Sequence, residues 1–225
     1  MYDEDENENQ VHCKVVLIGE SGVGKTSIIS QFTNKEFQYS TQSTSGATYS
    51  SKTIECSNKN KIKFDIWDTA GQERYRALTK MFYKDASAAV LVYDITREDS
   101  FVQIKKYWAE QVKDNTTKNI ILVIAANKSD LIDNEAVNED EGRNLANELN
   151  AIFLFTSALN SSGIDEIFIK IGDKFFENKY NDENKNKMEN YYGDDKNNDE
   201  KKNNIKINKK EVLQQNKDQK KKTKC

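Results

Sequence analysis

The sequence predicts an α/β domain with a mostly parallel six-stranded sheet flanked by helices on both faces. Three observations carry that prediction. Apolar runs of strand length alternate with amphipathic stretches of helix length from Val11 to about residue 177. SAAVLVYD (87–94) is apolar almost throughout, as expected of a strand buried on both faces. Glycines at 22, 24, 46, 71, 142, 163 and 172 punctuate the alternation. Strand–helix alternation of this kind builds a parallel sheet covered on both sides.

VHCKVVLIG (11–19) reads as a short buried strand, followed by a glycine-rich turn and the helical TSIISQF. ATYSSKTIEC (47–56) and KIKFDIW (61–67) read as two strands joined by a polar hairpin turn. SAAVLVYD is the fourth strand; after it, Phe101, Ile104, Trp108 and Val112 recur at helical spacing. NIILVIAANK (119–128) is a further buried strand, EDEGRNLANELN (139–150) a helix, AIFLFTSA (151–158) a strand and GIDEIFIKIGDKFFE (163–177) a last helix.

The folded domain is thus expected over 11–177, between an acidic extension (1–10) and an Asn/Lys-rich tail (178–225). Both ends are too polar to bury surface that would offset chain entropy, so both are expected to be disordered. With 225 residues and a net charge of −3, the molecule is not built as a polyanion binder. Its basic end, 201–225, has ten Lys but no aromatic interleaving after Tyr192, which argues against a nucleic-acid arm. Cys13, Cys56 and Cys225 form no CxxC pair, so a reducing cytosol is expected, with Cys13 and Cys56 as small packed residues. His12, the only histidine, shows no metal or base partner in the sequence. No apolar run approaches the roughly 20 residues that span a bilayer, and the opening residues lack a basic-then-apolar pattern, so no secretory leader is expected.

The chemistry sits in the turns after the strands. GESGVGKT, Gly19 to Thr26, fits G-x-x-x-x-G-K-[ST] between a strand and a helix, the context that motif requires. Its glycines let backbone N–H groups close on phosphates, and the helix N-terminus adds positive potential. Lys25 is placed to reach the β- and γ-phosphates and the Thr26 hydroxyl to ligate Mg2+. KFDIWDTAGQE puts Asp68 after a strand, where its carboxylate can hold Mg2+ through water. The Gly71 N–H can then meet a γ-phosphate and the Gln72 amide can orient an attacking water. NKSD follows another buried strand, and the Asp130 carboxylate can accept the ring N–H and exocyclic amine of guanine, a donor pair adenine lacks. TSAL, Thr156 to Leu159, offers the Ala158 N–H to the guanine carbonyl.

On these residues the chain resembles a P-loop NTPase of the small G-domain type, the Ras superfamily, and within it the Rab family. GESGVGKT, Thr44, DTAGQE, NKSD and TSA stand in the family's order, with SGATY, KFDIW, RYRALT, FYKDA and LVYDIT at the Rab-specific stretches. SGATYSSKTIEC and ERYRALTKMFYKDASAAVLVYDIT are similar to the early-endosomal Rab subgroup.

The resemblance implies nucleotide contacts at Gly19, Ser21, Gly22, Val23, Gly24, Lys25, Thr26, Ser27, Phe37, Thr44, Gly71, Asn127, Lys128, Asp130, Ser157, Ala158 and Leu159. It implies Mg2+ ligation by Thr26, Thr44 and Asp68, catalysis by Gln72 with Lys25, and Phe37 edge-on to the guanine. Tyr49, Trp67 and Phe82 match the aromatic triad that Rabs present to effectors. Three positions depart from the pattern: Ser45 replaces an apolar residue, Phe82 lacks the usual hydroxyl, and Leu159 replaces a Lys or Arg.

The implied activity is hydrolysis of GTP to GDP and phosphate by a monomeric trafficking switch. It works with an exchange factor, a GTPase-activating protein, a GDP-dissociation inhibitor and effectors. No arginine lies among the seventeen residues between Thr26 and Thr44, so intrinsic hydrolysis is expected to be slow. An arginine supplied in trans is then worth roughly 10³- to 10⁵-fold in rate. A nucleotide-locked scaffold without hydrolysis is the alternative, although Lys25, Thr26 and Gln72 are all present.

The ending DQKKKTKC is not a C-a-a-X box or a paired-cysteine ending. A single geranylgeranyl group on Cys225 is expected, assisted by lysines worth roughly 1 kcal/mol each near an anionic leaflet. The expected location is the cytoplasmic face of intracellular membranes, endosomal, with a cytosolic pool.

Overall fold

The computed structural model describes residues 10–39, 44, 47–71, 81–116 and 119–193, with side chains through 185. Six strands form one sheet: β1 (His12–Ile18), β2 (Ala47–Glu55), β3 (Lys61–Thr69), β4 (Ala88–Asp94), β5 (Ile121–Asn127) and β6 (Ile152–Thr156). Their spatial order is β2-β3-β1-β4-β5-β6. Only the β2–β3 hairpin is antiparallel; the other neighbours run parallel.

Helix α1 (Lys25–Asn34) follows β1. Helix α2 is composite: Glu98–Gln103 is α-helical, Ile104–Trp108 forms a π-helical turn, and Ala109–Asn115 is α-helical again. Helix α3 (Glu139–Glu148) starts in a capping box, in which the Asn138 side chain accepts from the Glu141 N–H and Glu141 accepts from the Asn138 N–H.

Alternation along the strands sorts the core into two clusters, one per face. Val15, Leu17, Val90, Val92, Val123 and Ala125 pack with Ile28 and Phe32 of α1 and with Ile164, Ile167, Phe168 and Ile171. Val16, Ile18, Leu91, Tyr93, Ile124 and Ala126 pack with Phe101, Ile104 and Trp108 of α2 and Leu145 of α3. Burying both faces explains why β4 is apolar from end to end, and all seven of its residues are buried. Cys13 and Cys56 are buried free thiols, and burial pushes Cys13 up to about 12, so neither is a nucleophile.

Helix α4 spans Ile164–Gly193. The sequence ends the domain at 177 and expects disorder beyond it, yet the helix continues through 193. No proline interrupts it and Lys, Glu and Met favour helix, so the backbone stays helical after the apolar period stops. The chain divides into two units between Asn178 and Lys179. The two ends, 1–9 and 194–225 with Cys225, lie outside the described residues. Among the described residues, no helix is long and apolar enough to cross a membrane.

Candidate functional site

The turns after β1, β3, β5 and β6 meet at the carboxyl edge of the parallel sheet, where α/β folds place their ligands. They line a cleft of about 370 Å3. Its walls include Ser21, Gly22, Gly24, Lys25, Thr26, Ser27, Phe37, Thr44, Gly71, Asn127, Lys128, Asp130, Ala158 and Leu159, all expected from sequence. Gly19, Val23, Asp68 and Ser157 do not line it, and the last three are buried behind it. Gln72 and Ser45 lie outside the described residues.

At one end, α1 begins at Lys25 with Gly24 as N-cap and no side-chain cap on its first-turn N–H groups. Four uncapped donors at a helix N-terminus form an anion site. Gly24 has φ 98°, and a Cβ there would lie 2.3 Å from Asn127 Nδ2, so only glycine fits. Gly71 is held by crowding instead: a Cβ would lie 2.4 Å from the Glu20 carbonyl carbon. This contact sets the residue after DTA against the phosphate loop.

Lys25 is buried, and its Nζ donates to the Gly19 and Glu20 carbonyls at 2.9 and 2.8 Å. Burial lowers its pKa to about 8 against the opposing charges of Asp68 and Glu20, so its charge calls for a stronger counter-ion.

Beside it three oxygens converge. The Thr26 hydroxyl donates to Asp68 Oδ2 at 2.6 Å, and the Thr44 hydroxyl lies 3.0 Å from Thr26 Oγ1 and 3.3 Å from the same carboxylate oxygen. Desolvation raises the Asp68 pKa, while Thr26, Lys25 and Thr44 pull it down. Asp68 Oδ1 is buried without a hydrogen-bond partner. Two hydroxyls, one carboxylate and an unsatisfied buried oxygen suit a hard divalent cation that keeps waters and takes phosphate oxygens. No cluster of three His, Cys or carboxylate ligands exists among the described residues.

At the other end, the Ser157 hydroxyl donates to Asp130 Oδ1 and aims the carboxylate across the cleft. Asn127 is almost fully buried. Its Nδ2 donates to the Val23 carbonyl at 2.8 Å, and its Oδ1 accepts from the Thr156 hydroxyl at 3.0 Å. Asn127 therefore ties the NKSD and TSAL turns to the phosphate loop. Lys128 has left-handed backbone (φ 65°), and its Nζ pairs with the buried Asp94 carboxylate at 2.5 Å. Phe37 stands edge-on to Tyr39, with ring centroids 5.2 Å apart, and both rings line the cleft.

Sequence reasoning missed Asp94, Thr156, Tyr39 and Leu131 as site residues. Asp94 had the signal already used for Asp68, a carboxylate at the end of an apolar strand. His12 also departs from expectation, because its Nδ1 lies 2.8 Å from Asp65 Oδ2. Asp65 Oδ1 in turn accepts from the Tyr49 hydroxyl at 2.6 Å. Tyr49, Trp67 and Phe82 form a continuous cluster, with centroids 5.5 and 5.1 Å apart and Tyr49 half exposed.

Comparison with known proteins gives the family of the chain. The profile of the Ras family matches residues 14–177. The chain is 45% identical over 155 residues to the Ras-related protein RGP2 of Oryza sativa subsp. japonica, covering 69% of this chain and 70% of that one. It is 44% identical over 155 residues to the Ras-related protein Rab11C of Lotus japonicus, covering 69% and 71%. It is likewise 44% identical over 158 residues to the human Ras-related protein Rab-22A, covering 70% and 80%.

Proposed function

The chain belongs to the Ras family, among Rab relatives, and is a small GTPase of the vesicle-trafficking type; we propose that it is a partner-reset GTP/GDP switch acting on endosomal membranes. The observation that carries the switch reading is the cleft itself. A helix N-terminus with Lys25 stands at one end, an aimed Asp130 at the other, and the Thr26–Thr44–Asp68 oxygens beside the phosphate end.

In this reading the backbone N–H groups of 19–27 take the α- and β-phosphates and Lys25 the β- and γ-phosphates. Asp130 and the Ala158 N–H select guanine, and Phe37 covers the base. The Thr26 and Thr44 hydroxyls would hold Mg2+, with the Asp68 carboxylate holding it through water. When bound, Mg2+ would neutralise charge on the β- and γ-phosphates. Gln72 positions the attacking water, and an activating protein supplies an arginine, a residue type not found between Thr26 and Thr44. Thr44 and Gly71, one on each side of the phosphate end, read the γ-phosphate and order the segments that carry them. Tyr49, Trp67 and Phe82 present the outcome to effectors.

The endosomal assignment rests on the residue stretches 45–56 and 73–96. Membrane attachment rests on Cys225 with the tail lysines, and an unmodified Cys225 in intact-mass analysis of membrane-bound native protein would refute it. For the cleft, competition against fluorescent GDP is the test. GTP and GDP should displace it in the presence of Mg2+ while ATP does not, and equal displacement by ATP would overturn the guanine reading.

A further inference from the structure

Glu20 and Ser21, two positions that the phosphate-loop motif leaves unspecified, are both held from outside by the segment after β4. Arg97 lies in the turn before α2, and its Nη1 donates to the Ser21 carbonyl at 3.0 Å. The same guanidinium is braced by Asp99, with Nε and Nη2 at 3.3 and 2.7 Å from its two carboxylate oxygens. Farther along, the buried Trp108 donates its indole N–H to Glu20 Oε1 at 3.1 Å. Trp108 closes the π-helical turn Ile104–Trp108, a helix form found mostly as single turns and often at functional sites. The segment also reaches the base end of the cleft, since Asp94 at its start holds Lys128.

Peptide planarity gives these contacts a consequence. The Ser21 carbonyl and the Gly22 N–H belong to one rigid peptide unit and point in opposite directions. Pinning the carbonyl outward to Arg97 therefore fixes the Gly22 N–H on the opposite side. Gly22, with φ 77°, lines the cleft and has no side chain to resist a flip of that peptide.

We propose that Asp94–Trp108 is a clamp on the phosphate loop, with Arg97 and Trp108 as positioning residues that set the rate of nucleotide release. The clamp rests on the reading that the cleft holds a guanine nucleotide. It adds a control point remote from hydrolysis: whatever shifts the first turns of α2 loosens the loop from its outer side.

The test uses the full chain loaded with fluorescent GDP and Mg2+, chased with excess GDP. Arg97→Ala and Trp108→Phe should each release GDP about tenfold faster, the loss expected for one charge-assisted hydrogen bond. Arg97→Lys should recover part of the difference. Release by Arg97→Ala at the wild-type rate would overturn the clamp, and Arg97 is exposed enough that this substitution does not disturb the core. A wild-type chain that never retains fluorescent GDP would instead remove the functional reading on which the clamp rests.

Discussion

Replacing Asn127 by alanine tests its structural work in holding the turns of the cleft together. The side chain is almost fully buried and makes two hydrogen bonds, to the Val23 carbonyl and from the Thr156 hydroxyl. Alanine leaves both partners buried and unsatisfied, at about 1–3 kcal/mol each, so about 2–6 kcal/mol in total. The two partners sit on the phosphate loop and at the end of β6, so the cost should appear mainly when the nucleotide-loaded loops are asked to stay closed. If half of it does, release accelerates by about fivefold to about 150-fold, counting a factor of ten per 1.4 kcal/mol. Stopped-flow release of fluorescent GDP measures this directly, with a thermal melt reporting the remainder. A variant that releases GDP within about twofold of wild type and melts with it would refute the view that Asn127 holds the three turns together.

Two further outcomes follow from the same geometry. Asp68→Ala removes the acceptor shared by Thr26 and Thr44, so GDP release in Mg2+ should approach the rate seen in chelator, and a preserved response to chelator would remove Asp68 from the cation site. Asp65 supplies a pH test: partial burial pushes its carboxyl up, but the bonds from Tyr49 and His12 and the nearby charges of His12 and Lys63 outweigh that and hold it low. A carboxylate lowered in the fold contributes stability above its unfolded pKa of about 3.9 and loses it as pH falls through the folded value. Asp65→Asn should therefore melt below wild type at neutral pH, with the gap closing under acid. A gap independent of pH would contradict the pairing.

Much of the site was legible because its groups lie in contiguous turns whose spacing repeats the chemistry. GESGVGKT, DTAG and NKSD each follow an apolar strand, and the fold only had to bring strand ends together. What sequence could not show is set by register between strands far apart in the chain. Parallel pairing puts Asp94 opposite Asn127 and Asn127 opposite Thr156. That single row across β4, β5 and β6 brings Asp94 to Lys128 and Thr156 to Asn127. His12 likewise met Asp65 only once β1 and β3 were neighbours, with His12 opposite Lys63 and Lys14 opposite Asp65. Arg97 is exposed and charged, and nothing in its neighbourhood of the sequence pointed to Ser21. The end of α4 was missed for another reason: apolar periodicity reports burial, and a helix can outlast it.

A GTP/GDP switch of this kind should hydrolyse GTP slowly and depend on Gln72 for doing so. Single-turnover hydrolysis of bound GTP, followed by phosphate release in wild type and Gln72→Leu, tests it most directly. Wild type should convert GTP to GDP slowly but completely, and the variant should react much more slowly. Equal rates for both, or no conversion by either, would contradict it.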